Sequence, residues 1–118
     1  MFSKKMILSI YTETPMHPGS GSSINRPIDL PIQRERHTDF PFIQSSTLKG
    51  VLLNYAKTSN GNVDEIFGKP DYAGLVSITD AKLAAFPVRT LSGVFGWITC
   101  PLILNRLVMD VSPSLGAD

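Results

Sequence analysis

With 118 residues, 42% hydrophobic and 18% charged, the chain has room for one domain and one modest core, and its composition excludes a disordered or fibrous class. A formal net charge of +1 gives no global field for nucleic acid, so any such binding must come from a local cluster. The single cysteine, Cys100, excludes an internal disulfide and fits a reducing compartment, and no run approaches the ~18 apolar residues that a membrane span needs.

The chain opens Met1-Phe-Ser-Lys-Lys-Met-Ile-Leu-Ser-Ile10, two lysines before an apolar run too short for a signal core. Met6 to Tyr11 alternates, which predicts a first strand in a cytoplasmic protein. From Thr14 to Gln44 both periods vanish among Pro15, Pro18, Pro27, Pro31 and Pro41, with Gly19 and Gly21. A loop of roughly 30 residues is unusual in a small domain, and its ordered turn chemistry reads as functional. Arg26, Arg34, Arg36, His37 and Lys49 form the chain's basic cluster within one window of 24 residues.

A helix is predicted over Ser46–Thr58, with Leu48, Val51, Leu52, Tyr55 and Ala56 on its apolar stripe and Ser45 or Ser46 as N-cap. Its first turn holds no Asp or Glu but holds Lys49, which opposes the helix dipole, and Gly50, which costs about 1 kcal/mol against Ala. An anion at the helix start offsets both. Free N–H groups, the hydroxyls of Ser45, Ser46 and Thr47, the Lys49 ammonium and close approach at Gly50 compose a phosphate seat. The plain alternative is a capped helix with Lys49 in solvent.

Asn60-Gly61 reads as the C-cap, and Val63–Gly68 as one short helical turn. Leu75–Leu83 and Val94–Cys100 read as second and third strands, with Phe95 and Trp97 either buried or free to stack on bases. Cys100 reads as a small buried apolar residue, since no activating base is near. Pro101 opens a second helix to about Met109, and residues 111–118 read as a mobile, turn-like tail. The order is β-α-β-β-α, an α+β class; a ferredoxin-like or RRM-like sheet needs one more strand to close.

Tyr11-Thr-Glu-Thr14, His17-Pro-Gly-Ser-Gly21, Ile28-Asp-Leu-Pro-Ile-Gln-Arg-Glu-Arg-His37, Phe40-Pro41, Ser45-Ser-Thr-Leu-Lys-Gly50, Phe67-Gly68, Thr79-Asp-Ala-Lys-Leu83, Phe86-Pro-Val-Arg89 and Trp97-Ile-Thr-Cys-Pro101 occur in that order. Each motif is weak alone. The ordered set, over about residues 6 to 109, resembles the backbone RAMP subunit of type III-B CRISPR effector complexes. The resemblance implies a partial RRM-like RAMP domain over residues 1–110, with 15–44 as the RNA and catalytic loop and the closing strand missing. It also implies copies of the subunit along a guide RNA, other effector subunits as partners, and cleavage of the paired target RNA.

In that family the acidic residue at the position of Asp29 is needed for cleavage, so the resemblance assigns the catalytic and metal role to Asp29. The physical reading agrees: prolines at 27 and 31 stiffen its loop, and a carboxylate holds a loosely bound Mg²⁺ or other divalent cation when substrate oxygens and water complete the shell. The plain reading of Asp29 is a turn cap. Asp39, in Thr38-Asp-Phe-Pro41, reads as a turn acid. His17, Arg34, Arg36, Ser45, Ser46, Thr47, Lys49 and Gly50 are the candidate RNA-binding residues, and Gln33 joins Arg34 and Arg36 as suited to backbone contacts. The alternatives to a metal-dependent endoribonuclease are a non-catalytic RNA-binding scaffold and one half of a split or truncated backbone subunit.

Overall fold

A computed structural model describes residues 4–21, 31–59 and 62–115. In chain order the elements are α1 (Ser45–Thr58), α2 (Val63–Phe67), β1 (Gly68–Lys69), β2 (Tyr72–Ala73), β3 (Phe86–Val88), β4 (Gly96–Ile98) and α3 (Pro101–Leu115). The mixed α+β content agrees with expectation; the β-α-β-β-α order does not. The chain divides into two units, Met16–Lys82 and the pair of segments Met1–Pro15 with Leu83–Asp118.

In the unit Met16–Lys82, α1 buries a narrower stripe than its periodicity predicts. Leu48, Leu52, Leu53 and Ala56 are half-buried, while Val51 and Tyr55 face solvent. The expected C-cap at Asn60-Gly61 lies outside the described residues; Ser59 closes the helix, its N–H donating to the Ala56 carbonyl at 3.0 Å. The short α2 carries Asp64 and Glu65 in its first turn, where the dipole favours them. It ends at Gly68, whose φ of +85° is open only to glycine at low cost. A Cβ at Gly68 also stands 2.6 Å from the Tyr72 carbonyl and the Gly74 nitrogen. Glycine thus lets β1 turn back on β2 in the register Gly68↔Ala73, Lys69↔Tyr72.

The strand expected over Leu75–Leu83 does not form. The N–H groups of Leu75 and Val76 donate to the carbonyls of Glu65 and Ile66, both at 3.1 Å, so they serve α2 rather than a ladder. Pairing in that segment is confined to Ala81, bridged antiparallel to Ile43.

In the other unit, β3 and β4 form an antiparallel hairpin in the register Phe86↔Ile98, Pro87↔Trp97, Val88↔Gly96. The third expected strand thus contracts to Gly96–Ile98, and its partner is the unpredicted Phe86–Val88, where Pro87 marks an edge strand. Trp97 holds Phe95 edge-on at 5.5 Å between ring centroids and Tyr11 tilted at 5.9 Å. All three rings remain exposed. The first strand expected at Met6–Tyr11 is absent: residues 4–12 form neither helix nor strand. Alternation marks a segment fit for a sheet, but a strand exists only with a bonded partner, and here Met6, Leu8 and Ile10 all face solvent.

α3 begins at Pro101 as predicted but runs beyond Met109 to Leu115, so residues 111–115 continue a helix where a turn-like tail was expected. Its inward face joins Ile103, 5% exposed, with the half-buried Arg106 and Asp110, one turn apart in sequence. Leu102, Leu104, Leu107, Val108 and Met109 stay exposed, Met109 at 72%. Among the described residues no helix is long and apolar enough to cross a membrane.

Candidate nucleic-acid interface

The loop residues of Met16–Lys82 are held by single bridges rather than by a sheet. Gly19 pairs with Ile32, Arg34 with Pro41, and Ile43 with Ala81, each antiparallel. Ser20 N–H donates to the Pro31 carbonyl at 3.0 Å and Gln33 N–H to the Pro18 carbonyl at 2.8 Å. These bonds tie the described flanks of segment 22–30 to each other. Prolines at 18 and 31 leave their carbonyls as acceptors while donating nothing themselves, which suits isolated bridges better than a continuous ladder.

Between Arg34 and Pro41 the chain makes a tight reversal. Glu35 N–H donates to the Phe40 carbonyl and Asp39 N–H to the Glu35 carbonyl, both at 2.9 Å. Asp39 takes φ +60°, a conformation that acidic and amide side chains tolerate best after glycine, which fits its reading as a turn acid. Arg34 Nη1 donates to the Asp39 carbonyl at 2.9 Å, so this candidate RNA contact also braces the turn. Arg36 stands exposed in the reversal, and His37 lies with Nε2 3.7 Å from Glu35 Oε2.

Gln33 is the point of convergence. It is 6% exposed, which removes it from the residues that touch a ligand. Its Nε2 donates to the Gly19 carbonyl at 2.9 Å and to Thr47 Oγ1 at 3.3 Å, and its Oε1 accepts the Gln44 N–H at 2.7 Å. One amide group therefore links the His17-Pro-Gly19 segment to the first turn of α1. Burial of a glutamine is tolerated because both ends of the amide are satisfied.

The start of α1 differs from its sequence reading. Neither Ser45 nor Ser46 is the N-cap; Gln44 is, in extended conformation, and its side chain makes no capping bond. Instead Asp80 Oδ1 accepts the Ser45 N–H at 2.7 Å. The Ile43–Ala81 bridge carries Asp80 alongside, so the chain supplies part of the anion that the acid-free first turn called for. Thr47 is engaged by Gln33, Ser46 is exposed, and Lys49 is half-buried. Gly50 is exposed, with no atom within 4 Å of the place a Cβ would take. Its freedom is thus not used by any backbone among the described residues. His17 is exposed, its Cε1 3.8 Å from where a Cβ on Gly19 would sit.

The structure therefore ties Pro18 and Gly19, next to His17 in the chain, to Gln44 and Thr47 through Gln33, holds Ser45 through Asp80, and sets Arg34 and Arg36 on the adjoining reversal. Asp29, the catalytic and metal candidate, and Arg26 lie outside the described residues. Among the described residues no three His, Cys, Asp or Glu side chains gather as a metal group. Sequence reasoning missed the capping role of Asp80 and the linking role of Gln33. Asp80 lies 35 residues from its partner, beyond any local capping pattern. Gln33 carries no local mark except its place between Ile32 and Arg34.

The chain matches the RAMP superfamily model over residues 9–114. It is 46% identical to the CRISPR system Cmr endoribonuclease Cmr4 of Pyrococcus furiosus, covering 92% of this chain and 39% of that protein. It is 38% identical to the CRISPR system CMR subunit Cmr4 of Saccharolobus solfataricus over 70% of this chain and 29% of the relative. Among solved structures, oligomeric Cmr4 from Pyrococcus furiosus superposes with a TM-score of 0.72 at 45% identity, over 92% of this chain and 39% of that one. A type III-B Cmr-beta complex bound to cognate target RNA contains a chain that matches with a TM-score of 0.68 at 26% identity, over 86% of this chain and 41% of that one. The chain thus spans well under half the length of the relatives it matches, and it belongs to the RAMP superfamily.

Proposed function

We propose that this chain is the RNA-holding part of a CRISPR effector backbone subunit, one that binds guide RNA and cuts the paired target RNA. The observation that carries the reading is the convergence of the His17–Gly19 segment and the first turn of α1 on one buried glutamine, beside Arg36 and Lys49. The 46% identity to a Cmr endoribonuclease supports it. Within this reading the first turn of α1 receives a phosphate through the N–H groups of Ser46 and Thr47, the Ser46 hydroxyl and the Lys49 ammonium. These contacts fix the strand without reading its bases. Arg34 and Arg36 extend the basic surface, and His17 meets the strand beside Gly19. Gly50 leaves room for the sugar-phosphate chain to come close.

Cleavage is assigned to Asp29. Asp29 would hold a divalent cation, with RNA oxygens and water completing its shell, and the cation would supply charge neutralisation at the scissile phosphate. The partners are copies of the subunit along the guide and other effector subunits, in the cytoplasm. The second reading is a scaffold that holds guide RNA without cutting, since the linked surface is built from RNA-binding candidates while Asp29 lies outside the described residues. The test is incubation of the chain with guide RNA, complementary target and Mg²⁺, beside an Asp29→Ala variant. Cleavage abolished by Asp29→Ala, with guide binding within a few-fold of the parent, supports the endoribonuclease. Binding without cleavage by the parent selects the scaffold. Cleavage equal in both chains removes Asp29 from the chemistry.

A further inference from the structure

We propose that Gln33 is a positioning residue that locks the 17–20 segment and the first turn of α1 into one surface, so that a single RNA backbone engages both at once. The proposal rests on the RNA-binding reading above and adds to it the residue on which that surface depends. Gln33 is the one polar side chain buried below a tenth exposure among the described residues. An apolar residue of similar shape fills such a place at little or no loss when no specific link is required. Here the amide makes three bonds, to the Gly19 carbonyl at 2.9 Å, Thr47 Oγ1 at 3.3 Å and the Gln44 N–H at 2.7 Å. The partners lie 14, 14 and 11 residues away, so none is a local turn contact. The main chain of Gln33 adds a bond to Pro18 on one side and accepts one from Phe42 on the other, so the residue is fixed before its side chain reaches out. Every segment it joins bears residues of the proposed interface, and Gln33 itself is too buried to touch RNA.

Gln33→Glu is the informative substitution. It keeps the volume and an oxygen for the Gln44 N–H, but an ionised carboxylate donates nothing to Gly19 or Thr47. Binding of a labelled single-stranded RNA is measured across a salt series for the parent, Gln33→Glu and Lys49→Ala, with the folded fraction read by circular dichroism. The expected result for Gln33→Glu is about tenfold weaker binding by the folded chain, together with a salt slope lower by about one unit, because one of the two segments leaves the strand. A merely structural role lowers the folded fraction and leaves the slope of the folded chain unchanged, and that result overturns the proposal. Lys49→Ala separates the two levels. If it weakens binding while Gln33→Glu does not, the RNA site stands and the positioning role falls. If neither changes binding, the RNA-binding reading falls with it. Should Gln33→Glu fail to fold, hydrogen exchange on the parent decides. RNA that protects the amides of Gly19 and Ser20 together with those of Ser46 and Thr47 upholds the single surface, and protection of only one segment overturns it.

Discussion

Gly50→Ala separates the stability of α1 from its proposed use. Gly50 is the sixth residue of a 14-residue helix, has ordinary helical φ, and has nothing within 4 Å of the position of a new Cβ. No contact among the described residues therefore resists the methyl. Alanine then gains the full propensity difference, about 1 kcal/mol, which for a chain of this size raises the midpoint of thermal unfolding by about 4 °C. If the same open space receives an RNA backbone, the methyl intrudes there and weakens binding by about tenfold, in the range of an overpacked contact. The assay is thermal unfolding of the free chain paired with RNA titration by fluorescence anisotropy at one fixed salt concentration. Stabilisation with unchanged affinity would show that the glycine leaves room for nothing, and would refute its place in the interface. Destabilisation of the free chain would refute the helix geometry itself.

Asp80→Ala removes the acceptor of the Ser45 N–H and is expected to cost about 0.5–1 kcal/mol, the lower part of the capping range because the bond is exposed. Asp80→Asn keeps an oxygen there and recovers most of the loss in urea unfolding; equal losses for both variants speak against the cap. Gly68→Ala forces φ +85° on a residue with a Cβ and drives that atom against Tyr72 and Gly74, so a loss above about 1–3 kcal/mol is expected in the same assay. An unchanged unfolding midpoint contradicts the backbone geometry at β1. The exposed Leu104, Val108 and Met109 on α3 predict self-association of the isolated chain in light scattering, relieved by Val108→Glu. A monodisperse parent at high concentration is the contrary result.

Helix positions were legible because their signals are local. Leu48, Leu52 and Ala56 recur at helical spacing, and Pro101 begins a helix for which its missing N–H is no loss. The missing acid in the first turn of α1 and the costs at Lys49 and Gly50 pointed to an anion at that end, and the ordered motifs pointed to the RAMP superfamily. What tertiary structure alone decided is where backbone groups find partners. Alternation at Met6–Tyr11 and Leu75–Leu83 predicts strands, but a strand is a relation between two segments, and Phe86–Val88 became one because Gly96–Ile98 lies beside it. The same holds at the candidate site. Asp80 caps Ser45 from 35 residues away, and Gln33, read from the sequence as suited to RNA backbone contacts, is buried instead, because a bridge at Ile43–Ala81 and another at Gly19–Ile32 brought their partners within reach. Periodicity reports the face that a segment can bury; only the folded chain fixes which donors meet which acceptors.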